Sequence, residues 1–277
     1  MSVFLTQSAK HFNLQGEEGS FTRFSSKEMK ISFFQTPEQS VIVCSLQNND
    51  DLIELLLLCD LLRNSKIILV LTYLFYARDN KNTFYESNGA RVITKLIEQI
   101  GVDKVYVLDP HSNLFSIANI EFSAFNLFAD DIQQRANDES VIVAPDSGIA
   151  SKACNLAAKL NISYVQCTKI RHGNNVDITV HGSVFQKKCI LVDDIIDSYG
   201  TMEATVLALQ QQKPSSISCY CTHGVLSPGS VTRIVHSPVS EVVITDSIFR
   251  PFEVRQCDKI RVISIKPLLQ SIIDGML

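Results

Sequence analysis

The chain has 277 residues, of which 45% are hydrophobic and 19% are charged, with only 8 Pro and 11 Gly. This composition excludes a disordered or fibrous protein and provides enough chain for one large domain or two ordinary ones. The formal net charge of −4 offers no basic surface, so neither nucleic acid nor an anionic membrane is an expected partner.

Strand-like and helix-like segments alternate along the first half of the chain. In chain order the pattern predicts a strand at 41–46, a helix with an apolar face on Leu52, Leu55, Leu56, Cys59 and Leu62, a strand at 67–73, a helix at 89–100 and a strand at 104–108. Val92, Leu96 and Ile100 align on one face of the second helix. The connections are too long for hairpins, so the strands are expected to pair in parallel.

The same alternation begins again after a polar stretch at 133–140. The predicted elements are strands at 141–144, 163–166, 189–192, 217–221, 242–245 and 262–265, with helices at 149–160 and 202–212. The fold class is therefore α/β, with two similar domains at 1–137 and 138–277, each a mainly parallel sheet flanked by helices.

The most apolar region, 52–72, is interrupted by Glu54, Asp60, Arg63 and Lys66, so it does not predict a membrane-spanning helix. The first residues lack the basic start and the apolar stretch of a secretory signal. The eight cysteines show no spacing typical of a zinc site. These features favour a cytoplasmic protein whose cysteines mostly act as small core residues.

The segment 189–201 concentrates polar residues directly after an apolar strand, where parallel α/β sheets bind their ligands. The candidate binding residues are Asp193, Asp194, Asp197, Ser198, Tyr199, Gly200 and Thr201. The loop 197–201 can direct backbone N–H groups and hydroxyls at a phosphate, helped by the start of the following helix. The two preceding acids suit sugar hydroxyls and Mg²⁺. The alternative is a strand end with solvated acids and helix-capping hydroxyls, but the complete string favours a sugar phosphate.

This string resembles the ribose-phosphate-binding loop of the type I phosphoribosyltransferase fold, with Ser198 in place of the usual Thr. Further segments resemble, in order, the ribose-phosphate pyrophosphokinase family; they lie at 21–28, 49–55, 73–78, 109–112, 143–148 and 169–171. The resemblance covers nearly the whole chain. It implies two phosphoribosyltransferase-like domains, the first on the nucleotide side and the second holding the ribose 5-phosphate site and a catalytic hairpin.

The activity that this resemblance implies is Mg²⁺-dependent transfer of diphosphate from ATP to O1 of ribose 5-phosphate, which gives 5-phosphoribosyl 1-pyrophosphate and AMP. Lys169 and Arg171 lie at i and i+2 on an extended segment, so both could reach the reacting phosphates when the hairpin at 173–184 closes. His111 is the third catalytic candidate, and His111 and Asp146 are the candidate metal ligands. Taken singly, these residues could equally be surface cations, a solvated histidine and a helix-capping carboxylate.

By the same resemblance, Phe24, Glu28, Arg78 and His111 are the candidate ATP-binding residues. Phe24 and Glu28 correspond to residues that close a neighbouring subunit's nucleotide pocket, which implies a homo-oligomer, either a dimer or a hexamer built from dimers. The chain departs from the family pattern at Ser26 and in the tract 78–81, and both departures affect the nucleotide side. Two alternatives therefore stay open: a non-catalytic regulatory homologue, and a phosphoribosyltransferase that consumes the pyrophosphate compound.

Overall fold

The computed structural model describes residues 1–17, 19–33, 36–79, 87–112, 115–172 and 175–276, with the backbone alone at 170–172 and 175–176. The chain divides into two compact units. One comprises Met1–Ser123 together with Lys266–Leu277, and the other comprises Ala124–Ile265. Both contain parallel strands and helices, which confirms the predicted α/β class.

The first unit is built on a five-stranded sheet. Its elements are β1 (Ser2–Leu5), a 3₁₀ helix (Gln7–Phe12), β2 (Ser20–Arg23), β3 (Met29–Ser32), β4 (Gln39–Leu46), α1 (Asn49–Leu61), β5 (Lys66–Leu74), α2 (Gly89–Gln99), β6 (Val102–Leu108) and β7 (Asn119–Phe122). The sheet order is β1-β4-β5-β6-β7, and every pairing within it is parallel. Strands β2 and β3 form a separate antiparallel hairpin.

The second unit is built on a seven-stranded sheet. Its elements are α3 (Phe125–Gln133), β8 (Ser140–Ala144), α4 (Ala150–Leu160), β9 (Ser163–His172), β10 (Asn175–His181), β11 (Lys188–Ile196), α5 (Gly200–Gln210), β12 (Ser216–Gly224), α6 (Ser230–His236), β13 (Glu241–Thr245), α7 (Pro251–Arg255) and β14 (Ile260–Ile263). The last helix, α8 (Lys266–Asp274), belongs to the first unit. The sheet order is β10-β9-β8-β11-β12-β13-β14, and only β10 is antiparallel to its neighbour.

The predicted core face of α1 is confirmed, but that of α2 is wrong. Val92 and Leu96 are 50% and 39% exposed, whereas Ile93 and Ile97 lie in the core. Thr94 is also buried, and its hydroxyl is satisfied because it donates to the Ala90 carbonyl oxygen at 3.0 Å. Apolar residues occupy more than one side of α2, so periodicity alone could not show which side packs on the sheet.

The division between the units differs from the predicted boundary at 137/138, because α3 packs with the second unit. Arg261 donates two hydrogen bonds to Asp131 on α3, at 2.9 and 2.6 Å, and the Tyr220 hydroxyl donates to the same carboxylate at 2.7 Å. At the other end of the chain, Lys266 Nζ donates to the Asn13 carbonyl oxygen at 2.8 Å within the first unit. These contacts join residues that are far apart in sequence. A domain boundary predicted from a polar stretch of the chain cannot take such contacts into account.

The described part of the chain contains no helix that is both long and apolar enough to cross a bilayer. All eight cysteines are free thiols, and only Cys154 is exposed. Burial raises the pKa of the Cys167 thiol to about 11. The Cys167 thiol therefore stays protonated at neutral pH, and the buried cysteines pack as small apolar residues, as the sequence predicts.

Candidate active site

Strand β11 lies between β8 and β12 and is parallel to both. Its pairing with β8 ends at Leu191, whereas its pairing with β12 continues to Ile196. The end of β11 therefore extends past β8. Asp193 and Asp194, which the sequence predicts to follow the strand and precede the loop, lie within the strand. Both are half-buried beside this step in the sheet, at the edge where parallel sheets bind ligands.

Three carboxylates gather at the ends of β8 and β11. Burial, together with the nearby carboxylates of Asp194 and Asp146, raises the pKa of Asp193 well above its usual range. The Asp194 amide donates to Asp193 Oδ1 at 3.0 Å, and the Gly148 amide donates to Asp146 Oδ1 at 2.9 Å. This concentration of negative charge is unfavourable by itself and would be relieved by a cation.

The described residues include no group of three or more His, Cys, Asp and Glu side chains arranged to hold a metal ion. Mg²⁺ commonly binds one or two carboxylates and completes its shell with water and substrate phosphates. Asp146 and Asp193 therefore fit an ion that binds together with a phosphate substrate. The other metal candidate, His111, is an exposed residue of the first unit, in the loop after β6.

The turn after β11 has an open side and a buried side. Helix α5 begins at Gly200, two residues before the predicted start, after Tyr199 in the left-handed region with φ of 67°. Ser198 is exposed, but the Tyr199 side chain is 2% exposed and its hydroxyl lies 3.0 Å from Ser237 Oγ. Only the main chain of Tyr199 can face a ligand, because its ring is part of the core. The first-turn amide groups of α5 have no side-chain cap from Tyr199, which suits an anion.

Lys169 contacts this turn directly. Its Nζ atom donates to Thr201 Oγ1 at 2.5 Å, which joins β9 to the first turn of α5. Arg171 is two residues further along β9, but its side chain is outside the described part of the chain. Strands β9 and β10 form an antiparallel hairpin that begins before the predicted bounds of 173–184 and includes Lys169 and Arg171 in its first strand. Residues 173 and 174 are outside the described residues.

The candidate nucleotide-binding residues all lie on the first unit. Phe24 and Glu28 are exposed at the turn between β2 and β3, where the Phe24 amide donates to the Glu28 carbonyl oxygen at 2.9 Å. Arg78 and His111 are exposed beyond the carboxyl ends of the neighbouring parallel strands β5 and β6. The structure thus brings each pair to one place in the unit.

Residues 4–101 match the family profile described as the N-terminal domain of ribose phosphate pyrophosphokinase, and residues 163–276 match the phosphoribosyl synthetase-associated domain. A ribose-phosphate pyrophosphokinase of Rhizobium meliloti is 35% identical over 274 residues, covering 94% of this chain and 88% of the relative. The chain belongs to the ribose-phosphate pyrophosphokinase family. The enzyme of that name from Granulibacter bethesdensis is also 35% identical, and the alignment covers 94% of this chain and 89% of the relative. The crystal structure of phosphoribosylpyrophosphate synthetase from Mycobacterium smegmatis superposes with a TM-score of 0.89 at 26% identity, covering 99% of this chain and 98% of that one.

In this member of the ribose-phosphate pyrophosphokinase family, two further residues lie near the turn at 197–201. No sequence motif identifies them. Ser227 donates through its hydroxyl to Asp197 Oδ1, and its amide donates to the Asp197 carbonyl oxygen at 3.2 Å. Arg233 on α6 extends to the start of α5, where its Nη1 atom lies 3.4 Å from Glu203 Oε2. Ser227 and Arg233 lie near the turn because β12 pairs beside β11, so that the segment after β12 reaches the turn.

Proposed function

We propose that this chain is an Mg²⁺-dependent ribose-phosphate diphosphokinase. The 1-hydroxyl oxygen of ribose 5-phosphate attacks the β-phosphorus of ATP, the bond from that phosphorus to the α,β-bridging oxygen breaks, and AMP leaves with the bridging oxygen. The hydroxyl proton is released, and the product is 5-phosphoribosyl 1-pyrophosphate. The observation that carries this proposal is the Lys169–Thr201 contact at the start of α5, beside the acids that end β11.

The turn at 197–201 is the proposed site of the 5-phosphate. Its support is the exposed hydroxyl of Ser198, the hydroxyl of Thr201, and the first-turn amides of α5, all of which can donate to phosphate oxygens. Asp193 and Asp194 are the proposed partners of the sugar hydroxyls, since a carboxylate accepts hydrogen bonds. Asp197, bonded to Ser227, keeps the turn in place.

His111 is the proposed ligand of one Mg²⁺ ion, and Asp146 is the proposed ligand of a second, with Asp193 beside Asp146. When bound, Mg²⁺ would neutralise phosphate charge and hold the diphosphate oxygens in place. Lys169 and Arg171 are the proposed cations that stabilise the charge that builds at the β-phosphorus and on the leaving AMP.

Phe24, Glu28, Arg78 and His111 are the proposed ATP-binding residues. Phe24 is 48% exposed at the tip of a hairpin, which supports a role in a second subunit's pocket and therefore a homo-oligomer, a dimer or a hexamer of dimers. A cytoplasmic location is also part of the proposal, and it is supported by free thiols at all eight cysteines.

The test is to incubate the purified chain with ATP, ribose 5-phosphate and MgCl₂, and to measure AMP and 5-phosphoribosyl 1-pyrophosphate by mass spectrometry. We expect the two products in equal amounts and their loss when EDTA is added. Thr201→Val should reduce both, whereas the matched control Thr232→Val, at an exposed position of α6, should not.

Absence of 5-phosphoribosyl 1-pyrophosphate at millimolar substrates would overturn the proposal. Binding of ribose 5-phosphate without turnover would then favour the regulatory homologue. Formation of a nucleotide from 5-phosphoribosyl 1-pyrophosphate and added bases would favour a phosphoribosyltransferase.

A further inference from the structure

We propose that Arg233 is a further binding residue for the 5-phosphate of the sugar substrate. This assignment rests on the proposed function and adds to it a cation from α6, an element that the sequence motifs do not include. Arg233 would bind the phosphate at the start of α5, next to the hydroxyl of Ser198. It is a substrate-binding residue in this role and takes no part in the transfer step.

The position of Gly200 shows how close the guanidinium lies to the turn. A Cβ atom placed on Gly200 would be 3.6 Å from Arg233 Nη1 and 3.5 Å from Ser198 Oγ. The guanidinium and the serine hydroxyl therefore both approach the first residue of α5. An anion bound to the amides there would be within reach of both groups.

The guanidinium retains donors for a ligand. Among the described residues, its only hydrogen bond is with Glu203 at 3.4 Å, which is long for a charge-assisted bond. The side chains of Arg233 and Glu203 are 51% and 36% exposed, so this ion pair contributes little free energy. An arginine has five N–H donors in a planar arrangement that matches a phosphate, and most of these are free to bind one.

The main chain that carries Arg233 is tied to the turn. The Leu226 amide donates to the Ile196 carbonyl oxygen at 3.2 Å, and the Ser227 amide and hydroxyl both bond to Asp197. Ile234, which follows Arg233, is completely buried and anchors α6 in the core of the second unit. Arg233 is therefore held near the turn before substrate binds, which reduces the entropy lost on binding.

Glu203 provides a second, opposite test of the same geometry. It lies in the first turn of α5 and competes with a phosphate for Arg233. Its negative charge also repels a dianionic ligand at that helix end. Removing the charge should therefore tighten phosphate binding, whereas removing the charge of Arg233 should weaken it.

The experiment measures ribose 5-phosphate binding by isothermal titration calorimetry, and kcat and KM for both substrates, on the full chain. Arg233→Gln should raise the Kd and KM for ribose 5-phosphate about tenfold, the loss of one charge-assisted contact, while kcat and the KM for ATP stay within about twofold. Arg233→Lys should recover part of the loss, and Glu203→Gln should lower the Kd about twofold. Arg255→Gln, an exposed arginine on α7 in the same unit, is the matched control and should change nothing.

An unchanged Kd in Arg233→Gln, or an equal rise in Arg255→Gln, would overturn the assignment. A parallel change in kcat and both KM values with a lower melting temperature would also overturn it, because it would indicate a structural role. If the wild type binds ribose 5-phosphate without turnover, the proposed function fails, and the binding titrations still decide the role of Arg233. If the wild type does not bind ribose 5-phosphate, both fail.

Discussion

Replacing Lys169 with methionine would remove the cation that contacts the start of α5 and retain most of its length and apolar stem. Lys169 Nζ donates to Thr201 Oγ1 at 2.5 Å. The threonine hydroxyl can accept this bond and donate its own proton to a phosphate oxygen. With a second hydrogen bond of about 2.7 Å, the phosphate oxygen would lie about 4 Å from the ammonium group.

The size of the expected effect follows from this distance. Two unit charges about 4 Å apart interact by about 4 kcal/mol at an effective dielectric constant near 20, which is appropriate for a half-buried site. Since about 1.4 kcal/mol corresponds to a factor of ten, kcat/KM for ribose 5-phosphate should fall about a thousandfold in Lys169→Met. This contact with the 5-phosphate is present in the bound substrate, so its loss appears in KM. The proposed role in the transition state, where charge builds on the transferred diphosphate, requires a fall in kcat in addition.

Steady-state kinetics with both substrates varied provide the assay, and Lys159→Met is the control. Lys159 is an exposed lysine on α4 of the same unit, whose Nζ atom donates to Asn126 Oδ1 at 2.8 Å. A kcat/KM within tenfold of the wild type would refute the charge calculation. A loss confined to the KM for ribose 5-phosphate would refute the catalytic role and make Lys169 a ligand of the bound sugar phosphate.

Three further predictions concern stability. Burial raises the pKa of Asp131, but hydrogen bonds from Arg261 and Tyr220 outweigh burial, so the pKa is lowered overall. The Asp131 carboxylate therefore stabilises the fold at pH values above its unfolded-state pKa. This stabilisation is lost as the pH falls through the lower folded-state pKa. Asp131→Asn should therefore cost about 2 kcal/mol of unfolding free energy at pH 7. With a denaturant slope near 2 kcal/mol/M, the urea midpoint should fall by about 1 M. The control is Asp130→Asn, which should leave the midpoint unchanged. Burial raises the pKa of Glu54 to about 7, so the wild type loses stability as pH rises through about 7. Glu54→Gln should match the wild type in urea denaturation at pH 5 and exceed it by about 3 kcal/mol at pH 8, and an equal gain at both pH values would contradict this reasoning. The buried Ser230 hydroxyl has no hydrogen-bond partner among the described residues, so Ser230→Ala should raise the unfolding free energy by about 1 kcal/mol, and a lower thermal midpoint would count against it.

Some features of the site were predictable because they depend on a short stretch of chain. The turn at 197–201 joins a buried strand to a helix, and both neighbours have clear local patterns, so the sequence locates it to within two residues of the observed helix start. The positions of Asp193 and Asp194 within β11 were not predictable from the sequence. Strand β11 continues past Leu191 because it stays paired with β12, although its pairing with β8 ends there.

Side-chain direction was the weaker part of the prediction. Tyr199 lies in a motif that suggests ligand contact, yet a left-handed backbone at this residue turns its ring into the core, where it meets Ser237. The same applies to helix α2. Its sequence pattern predicts Val92 and Leu96 as core residues, but the packing of the helix on the sheet leaves both exposed. In both cases the environment that decides the direction comes from residues distant in the chain.

The alternation of buried strands and helices, the acidic pair before a small polar turn, and the ordered motifs were sufficient to determine the α/β class and the family. They are local or ordered along the chain, so no packing information is needed to read them. Only the tertiary structure decided that Asp146 joins Asp193, that Lys169 reaches Thr201, and that Ser227 and Arg233 stand beside the turn. The physical reason is that parallel sheet pairing collects the carboxyl ends of strands from separate parts of the chain at one edge, and that juxtaposition is not encoded in sequence spacing.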